Sequence, residues 1–485
     1  MQADSLQADL LHRIPLAART VLFAGCDDPA LIESYRRTNP RARLLAVAPE
    51  AEAPHGGIDS IVLCGSLTDP GDAASLIRRH AETLSPDGVM LIREIESGQW
   101  RQGDGMRQLL LDAGLTICDV APGIAGRDGA EYRIWRVRKE PRQPLILSGT
   151  MLDPVGGVSD VRVVHPLSAL ATDPALRTVV TTVITHRKPH DNTPRIFVLH
   201  RPLLAGPKGF STVRSLAAAG YLVVTEFDDH PDHFDMMRMG GDLTFRGVHA
   251  LQTSTSAMAE ALRRYNPEIA VFPNAMVSLP EVRNFAALPA VTLFFGALNR
   301  ERDWRPLMPA INAVAAKAAD RLRFQVVHDR VFFEALETPH KAFTPTCDYE
   351  TYLRLLGGSE ISFMPLSDTS FNRAKSDLKF IEAAACRAAP LASTVVYGDS
   401  IEDGRTGLLF RDPAEFHAKL LRLVALPGLA RDLGDAGREH IAGTRMLAYQ
   451  VAPRIAWYRS LWARREALNE ALNVRLAAGL TLNAV

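Results

Sequence analysis

A cluster of polar and charged side chains stands in the segment Ser370 to Leu391, SFNRAKSDLKFIEAAACRAAPL. Lys375, Lys379 and Glu382 are spaced four and three residues apart, so they share one face of a helix that opens near Ser376. A helix N-terminus offers free backbone N–H groups and a positive dipole to an anion, and the lysines add charge. A glutamate farther along the helix is able to bond sugar hydroxyls. The pattern therefore predicts a site for a nucleoside diphosphate.

The rest of the chain must supply the elements that position this segment. Short β-rich apolar runs alternate with helical patterns, which is typical of parallel sheets built from βαβ units. The alternation starts three times, near Arg19, Leu145 and Ala290, and a charged stretch with prolines, Arg136 to Pro144, reads as a linker. A largely helical region follows, roughly Leu426 to Ala477. The predicted fold class is α/β, with three Rossmann-like units.

The composition excludes several classes of function. Lys+Arg and Asp+Glu both number 55, so no net field attracts the whole chain to nucleic acid, and no nucleic-acid partner is expected. No run of eighteen apolar residues predicts a membrane span, and we expect a cytoplasmic protein. The cysteines lack the paired spacing of a metal site or a disulfide framework and are interpreted as small apolar residues in a reducing compartment. They are Cys26, Cys64, Cys118, Cys347 and Cys386.

Residues from about Leu145 to Glu470 resemble the GT-B glycosyltransferases, and most closely those of glycosyltransferase family 4. The resemblance is carried by FFGALNRERDW, FNRAKSDLKFIEAAACRAAPLAST and YGDSIEDGRTGLLFRDPAEF. It implies transfer of a sugar from a nucleoside-diphosphate-sugar donor to a glycan, lipid-linked or protein acceptor, with retention of configuration and no metal or other cofactor. It also implies surface-polysaccharide or glycoconjugate synthesis, with peripheral contact at the inner membrane face left open.

The resemblance predicts four parts of the chain. Residues 1–140 form a methyltransferase-like Rossmann domain, and residues 145–283 form the N-terminal, acceptor-binding domain of the GT-B pair. Residues 284–445 form its C-terminal, donor-binding domain. Residues 446–485 form a helix that crosses back to the acceptor-binding domain.

On the donor side, Glu382 looks like the glutamate with which this family bonds the donor ribose hydroxyls. The acid that the family usually carries eight residues earlier corresponds to Ala374, so the chain departs from the two-glutamate pattern. Neighbouring polar side chains are expected to bind phosphate or sugar in its place, although Lys379 reads equally well as a surface charge. They are Asn372, Lys375, Ser376 and Lys379.

Two glycine segments are predicted to approach the same ligand. Gly296 ends a strand, where a missing side chain lets the backbone come close. Arg300 or Arg302 matches the basic residue that the family places against the donor diphosphate, and the sequence does not choose between them. Gly157, in PVGGVSD, stands where many such enzymes pass a glycine loop beneath the donor phosphate, with an ordinary tight turn as the equal alternative.

Polar residues also follow two strands of the second unit. His200 and Arg201 end one strand, and Asp228, Asp229 and His230 end the next. In an open α/β sheet these ends face the cleft, so we expect acceptor contacts and support of the reacting sugar there. Strand-end capping and solvation are the alternative. The candidate catalytic residues of the whole chain are Lys375, Arg300 and Asp229.

Residues Arg19 to Glu140 resemble a class I methyltransferase domain in strand and helix order. The glycine-rich loop is reduced to Gly25, and the acid expected after the second strand aligns near Ala48, although Asp27 and Glu50 are possible substitutes. A degenerate domain used for packing or partner contact is therefore favoured over one that binds S-adenosylmethionine. A bifunctional glycosyl- and methyltransferase and a non-catalytic nucleotide-sugar-binding scaffold remain the alternatives to a glycosyltransferase.

Overall fold

The computed structural model of the chain describes residues 5–26, 28–51, 56–64, 67, 70–95, 104–126, 130–154, 156–185, 192–233, 235, 239, 242–282 and 290–482. These residues form three six-stranded sheets in chain order, which confirms the predicted alternation of strands and helices.

The first sheet is mixed and has the strand order β2-β1-β3-β4-β6-β5. Its strands are β1 (Thr20–Ala24), β2 (Arg43–Val47), β3 (Ile58–Leu63), β4 (Leu84–Ile95), β5 (Thr116–Ala125) and β6 (Glu131–Arg138). The strands from β1 to β4 pair in parallel, whereas β6 runs antiparallel to both β4 and β5. Helices of this unit are Ser5–Arg13, Pro29–Thr38, Pro70–Thr83 and Asp104–Asp112.

The second sheet is parallel, with the order β12-β11-β10-β9-β7-β8. Its strands are β7 (Leu145–Met151), β8 (Leu176–Thr181), β9 (Arg195–His200), β10 (Leu222–Glu226), β11 (Ala250–Thr253) and β12 (Ile269–Val271). Every residue of β9 and β10 is buried, as expected for central strands with both faces covered. The helices are a π-helical turn, Asp160–Val164, then His165–Leu170, Gly206–Ala218, Leu243–Arg246 and Ser256–Arg263.

The third sheet is also parallel, with the order β15-β14-β13-β16-β17-β18. Its strands are β13 (Val291–Gly296), β14 (Leu322–Val327), β15 (Lys341–Thr344), β16 (Ile361–Met364), β17 (Ala389–Ser393) and β18 (Leu408–Phe410). Its helices are Glu301–Trp304, Met308–Ala318, Arg330–Ala335, Tyr349–Gly357, Ser370–Arg373 and Leu378–Ala385. The helices Pro413–Ala425, Pro427–Thr444, Ala448–Ala463 and Arg465–Leu482 complete the chain.

The helix Ala448–Ala463 joins the second and third units. Its residues Val451, Tyr458 and Leu461 belong to one core that also contains residues of β7, β9 and the helix Leu378–Ala385. The helix packs against the helix His165–Leu170 and against β9. A C-terminal helix thus contacts the second unit, and the predicted domains and their boundaries remain predictions.

The first unit packs on the segment that connects the second and third sheets. The backbone N–H of Leu279 donates to the carbonyl of Arg37 at 2.9 Å, and the Arg37 guanidinium pairs with Glu281 at 2.8 Å. The Arg41 guanidinium lies 4.4 Å from the centre of the Tyr449 ring, on the C-terminal helix. The first unit therefore contacts both elements that link the other two.

The residues considered for S-adenosylmethionine binding follow β1 and β2 at the carboxyl ends of these strands. Gly25 follows β1 with a positive φ of 64°, a conformation that favours glycine. Glu50 is exposed after β2, and its carbonyl accepts a hydrogen bond from Arg79 at 2.6 Å. Asp27 lies outside the described residues.

Within the described parts of the chain, the helices are too short or too polar to cross a membrane.

Gly434 tests the packing of the helix Pro427–Thr444. A Cβ on Gly434 stands 2.2 Å from the carbonyl oxygen of Arg387, so Gly434→Ala forces the helix away from its neighbour. We expect this variant to lose about 1–3 kcal/mol of unfolding free energy, measured by urea denaturation. The control is Gly443→Ala in the same helix, where a Cβ meets nothing within 4 Å and stability should stay level or rise. Equal stability of the two variants would contradict the close contact.

Candidate functional site

A cavity of about 220 Å³ lies between the second and third sheets. Its walls include residues one to three positions beyond the ends of β9, β10 and β13, so it opens at the carboxyl ends of strands from both sheets. This edge is where open α/β sheets bind ligands. The second unit contributes the polar residues Arg162, Arg201, Asp228, Asp229 and Asn274, and the third contributes Arg300, Ser362, Lys375, Ser376, Lys379 and Tyr397.

On the second-unit wall, Arg201 holds the two aspartates that follow β10. Its Nε donates to Asp228 Oδ1 at 2.7 Å, and its Nη2 lies 2.8 Å from Asp229 Oδ2. Burial raises the pKa of Asp228, but its pairing with Arg201 more than offsets this effect and leaves the pKa below its usual value. Arg201 itself has a φ of 46°, in the left-handed region, directly after the strand. The ion pairs thus fix an unusual backbone turn.

An ion pair crosses the cavity. Lys375 Nζ, from the third unit, donates to Asp229 Oδ1 of the second unit at 3.2 Å. Burial lowers the pKa of Lys375, and the Asp229 carboxylate opposes this shift. The ammonium also lies 4.1 Å from the centre of the Phe371 ring. Lys375 and Asp229, both predicted site residues, are therefore brought together.

The helix next to Lys375 does not begin where the sequence predicts. The turn Ser370–Arg373 ends before it, and the next helix, Leu378–Ala385, begins after Asp377. Lys375 and Ser376 lie between the two helices. The prediction that Lys375 shares a helix face with Lys379 and Glu382 is therefore wrong.

A long-range ion pair holds Asp377, the residue directly before this helix. Both Nη atoms of Arg445 lie 2.7 Å from the carboxylate oxygens of Asp377, and the Ser400 hydroxyl donates to the same carboxylate at 2.6 Å. The Asp377 side chain therefore makes no capping bond to the helix that follows it. The Ser376 hydroxyl is held from the second unit, because Asn274 Nδ2 donates to its Oγ at 2.8 Å.

The structure distinguishes between the two candidate arginines. Arg300 lines the cavity, whereas Arg302 is exposed on the turn Glu301–Trp304 and lies outside the lining. Arg300 Nη1 donates to Asn372 Oδ1 at 2.9 Å and to Asp303 Oδ2 at 3.2 Å. Asn372 is 4% exposed and donates in turn to Asp303 at 3.0 Å. Asn372 therefore positions Arg300 and does not itself line the cavity.

Lys379 and Glu382 lie one turn apart on the helix Leu378–Ala385. Lys379 Nζ donates to the Tyr352 hydroxyl at 2.8 Å and lies 3.4 Å from Glu382 Oε2. Lys379 and Tyr352 line the cavity, but Glu382 is 2% exposed and lies outside the lining. Burial raises the pKa of Tyr349, and a hydrogen bond to Glu382 raises it further. Glu382 thus has protein partners behind the cavity wall.

The two predicted glycines are required for different reasons. A Cβ on Gly296 would stand 2.6 Å from the Phe294 ring and 2.7 Å from the Tyr352 ring, so aromatic packing excludes a side chain there. Gly296 lines the cavity, whereas Gly157 does not. Gly157 has a φ of 79°, and its N–H donates to Asp160 Oδ2 at 2.9 Å, which forms a tight turn.

Two predicted histidines do not line the cavity. His230 is half-buried, and its Nδ1 accepts from the backbone N–H of Asp232 at 3.3 Å. His200 is 2% exposed, and neither ring nitrogen has a hydrogen-bond partner among the described residues. Burial lowers the pKa of His200 to about 4. The His200 ring is therefore neutral near pH 7.

Arg162 is a site residue that the sequence reasoning misses. It lies in the π-helical turn after the glycine loop, lines the cavity and is only 2% exposed. Its Nε and Nη2 donate to Glu226 Oε1 at 2.9 and 2.8 Å, and its Nη1 donates to Asn274 Oδ1 at 2.8 Å. A basic residue one turn beyond Gly156 and Gly157 is the signal that points to it. Asn274 carries only a weak signal, as a lone polar residue shortly after β12.

The buried His200 ring predicts how the unfolding free energy of the protein changes as the pH falls. Because its pKa is about 4 in the fold against 6.5 in a free side chain, the unfolded chain binds the extra proton first as the pH falls. We expect this group to cost about 2 kcal/mol of unfolding free energy between pH 7 and pH 5. The variant His200→Leu should lose less stability over that interval, as measured by urea denaturation at both pH values. An equal loss in both proteins would contradict the buried neutral ring.

Residues 308–452 match the model of a protein family described as glycosyl transferase-like. The matched segment contains Lys375, Ser376, Lys379 and Glu382. The prediction that the protein is a glycosyltransferase enzyme is confirmed by this family match. The family match does not extend to the first unit, where the methyltransferase resemblance is not confirmed. No curated protein matches the chain.

Several solved structures are similar to the chain. Sucrose-phosphate synthase of Thermosynechococcus elongatus is 15% identical, with a TM-score of 0.49 over 66% of this chain and 100% of that one. Anabaena HepE, in complex with UDP and glucose, is 12% identical, with a TM-score of 0.46 over 65% and 99% of the two chains. A mutant of S. aureus TarM, in complex with fondaparinux, alpha-GlcNAc-glycerol and UDP, is 14% identical, with a TM-score of 0.43 over 54% and 55%. The chain thus spans about half the length of TarM.

Proposed function

We propose that the chain binds a nucleoside-diphosphate sugar in the cavity between the second and third sheets and transfers the sugar to an acceptor. The observation that carries this proposal is the convergence of Arg162, Arg300 and Lys375 on one cavity. A diphosphate carries at least two negative charges, and a cluster of guanidinium and ammonium groups neutralises them. The family match of residues 308–452 supports the same activity.

The cationic cluster acts on the leaving group. In glycosyl transfer the bond between the sugar and the diphosphate breaks, and negative charge grows on the departing oxygen. Lys375 and Arg300 stabilise that charge from the third unit, and Arg162 does so from the second. Preorganised charges of this kind lower the barrier because they need no reorganisation during the reaction. Asn372 acts through Arg300 as a positioning residue.

The donor nucleoside lies toward Lys379, Tyr352 and Gly296. Glu382 reaches the ribose hydroxyls only by exchanging its contact with Lys379 for one with the ligand, because the carboxylate is buried behind that lysine. Gly296 lines the cavity without a side chain, so the Phe294 and Tyr352 rings pack directly against the backbone on this wall. The Lys379–Glu382 pair therefore belongs to the donor site in this proposal.

The acceptor enters from the second unit, where Asp229 and Arg201 support the reacting sugar. We infer retention of configuration, in which the departing phosphate accepts the acceptor proton while Asp228 and Asp229 stay paired with Arg201. Arginine and lysine provide the positive charge that a metal ion supplies in other transferases. The acceptor is a glycan, a lipid-linked sugar or a protein.

A thermal-shift screen of the full chain tests the proposal. The probes are UDP, GDP, CMP, ADP and S-adenosylmethionine, because a ligand that binds only the folded state raises its melting temperature. A nucleoside diphosphate that shifts the transition names the donor base, and its sugar conjugates are then assayed for release of the nucleotide with and without acceptor sugars. Absence of any shift and of any turnover would overturn the proposal in favour of a scaffold.

Arg300 and Arg302 provide a matched pair for donor binding. Arg300→Ala removes a charged hydrogen bond to the diphosphate, so the Kd of the nucleotide found in the screen should rise about tenfold or more, as measured by calorimetry. Arg302→Ala should leave the Kd within about twofold, since this side chain is exposed and outside the cavity lining. Similar Kd values for both variants would count against Arg300 as a phosphate ligand.

Lys375 is expected to act on the chemical step. Lys375→Ala should lower kcat by about a hundredfold and change the acceptor KM much less, because its charge meets the leaving diphosphate. Lys317→Ala, at an exposed position on the helix Met308–Ala318, is the control and should leave both constants unchanged. Steady-state kinetics with saturating donor measure the effect. An unchanged kcat in Lys375→Ala would rule out this role.

A further inference from the structure

Two cysteines lie side by side at the carboxyl edge of the first sheet. Both belong to the first unit, whereas the cavity residues belong to the second and third units. Cys26 lies two residues beyond β1 and Cys64 directly follows β3, and these strands are neighbours in parallel register. The backbone N–H of Cys64 donates to the carbonyl of Ala24 at 2.9 Å, which continues the pairing to this point. The two Sγ atoms lie 3.1 Å apart and share a hydrogen bond.

The two thiols differ in environment. Cys64 is 3% exposed within the core of the first sheet, whereas Cys26 is half-buried and within reach of solvent. The hydrogen bond with Cys64 lowers the pKa of Cys26 despite the opposing effect of burial, and the nearby Arg93 guanidinium lowers it further. The same hydrogen bond and burial raise the pKa of Cys64. The outer sulfur is thus the better thiolate and the inner one stays protonated.

The other three cysteines lack this arrangement. The thiols of Cys118 and Cys386 donate to backbone carbonyls, those of Thr116 at 3.9 Å and Leu353 at 3.6 Å. Burial raises the pKa of Cys118, Cys347 and Cys386. They fit the predicted role of small apolar residues, whereas Cys26 and Cys64 are adjacent in space despite their separation in sequence.

We propose that Cys26 and Cys64 form a dithiol site that is oxidised by hydroperoxides and closes to a reversible disulfide. An accessible thiolate beside a second, resolving thiol is the arrangement of peroxide-sensitive cysteine pairs. Closing the 3.1 Å gap to an S–S bond of about 2.0 Å needs a shift of only about 1 Å. The site lies at the edge of the sheet where Rossmann-like units place ligands. It does not depend on the glycosyl-transfer proposal.

The oxidation proceeds in two steps. The Cys26 thiolate attacks one peroxide oxygen, the O–O bond breaks, and the released alkoxide takes a proton to become an alcohol, or water when the oxidant is hydrogen peroxide. Cys26 is then a sulfenic acid. Cys64 attacks the Cys26 sulfur, the S–O bond breaks, and the departing hydroxide leaves as water with the proton of Cys64. The two sulfurs together lose two electrons, which the peroxide gains.

Hydrogen peroxide treatment of the full chain tests the site. Unreacted thiols are alkylated, the protein is digested without reductant, and the peptides are analysed by mass spectrometry. We expect a Cys26–Cys64 linked peptide that forms before any oxidation of Cys118 and is reversed by dithiothreitol. The variant Cys118→Ser is the control and should form the same linked peptide. Free thiols at both positions after oxidation of Cys118 would overturn the proposal.

The variant Cys64→Ser separates the two steps. Without a resolving thiol, Cys26 should remain as a sulfenic acid, which dimedone traps as a stable adduct at that residue. A far-UV circular dichroism spectrum that matches the wild type shows that the variant folds. Should Cys64→Ser fail to fold, Cys26→Ser provides the test, since it should leave Cys64 unoxidised under the same treatment. Absence of the dimedone adduct in folded Cys64→Ser, or oxidation of Cys64 in Cys26→Ser, would contradict the proposed order of attack.

Discussion

A buried ion pair, Arg162 with Glu226, organises the cavity and its surroundings. The two side chains are 2% and 0% exposed, and removing such charges from water costs several kcal/mol each unless their hydrogen bonds are satisfied. Gln252 donates to the second Glu226 oxygen at 2.8 Å, and Tyr458 from the C-terminal helix donates to Gln252 at 2.7 Å. One network therefore ties β10, β11 and the C-terminal helix to an arginine of the cavity wall.

The same network reaches the third sheet. Asn274 accepts from Arg162 and donates to Ser376, and the carbonyl of Asn274 accepts from Arg445 at 3.2 Å. Arg445 in turn holds Asp377, so the position of the third-unit turn depends on the second unit. This dependence suits a site built from two sheets, because each wall carries groups that fix the other.

The sequence predicts the repeated strand–helix order well, because apolar periodicity is a local property. Prediction from the sequence fails where contacts between residues distant along the chain determine the local structure. The helix start is predicted near Ser376, but the helix begins at Leu378, after an Asp377 whose side chain is held by Arg445, 68 residues away. Arg300 and Arg302 have equal sequence signals, and only the fold turns one toward the cavity. Glu382 is 2% exposed, and its apolar neighbours in the segment FIEAAA are the local signal that indicates this burial.

Under the proposed function, the contact between Lys375 and Asp229 determines what kind of ligand the cavity selects. The lysine is already paired at 3.2 Å, so a ligand must offer it more than one carboxylate does. A neutral sugar cannot, whereas a diphosphate brings more charge and several acceptor oxygens within reach of Arg300 and Arg162 as well. Asp229 keeps its partner Arg201 when Lys375 turns to the ligand, so the displaced carboxylate is not left unpaired. The transfer of Lys375 from Asp229 to a ligand therefore favours a polyanion over uncharged ligands of a size that fits the cavity.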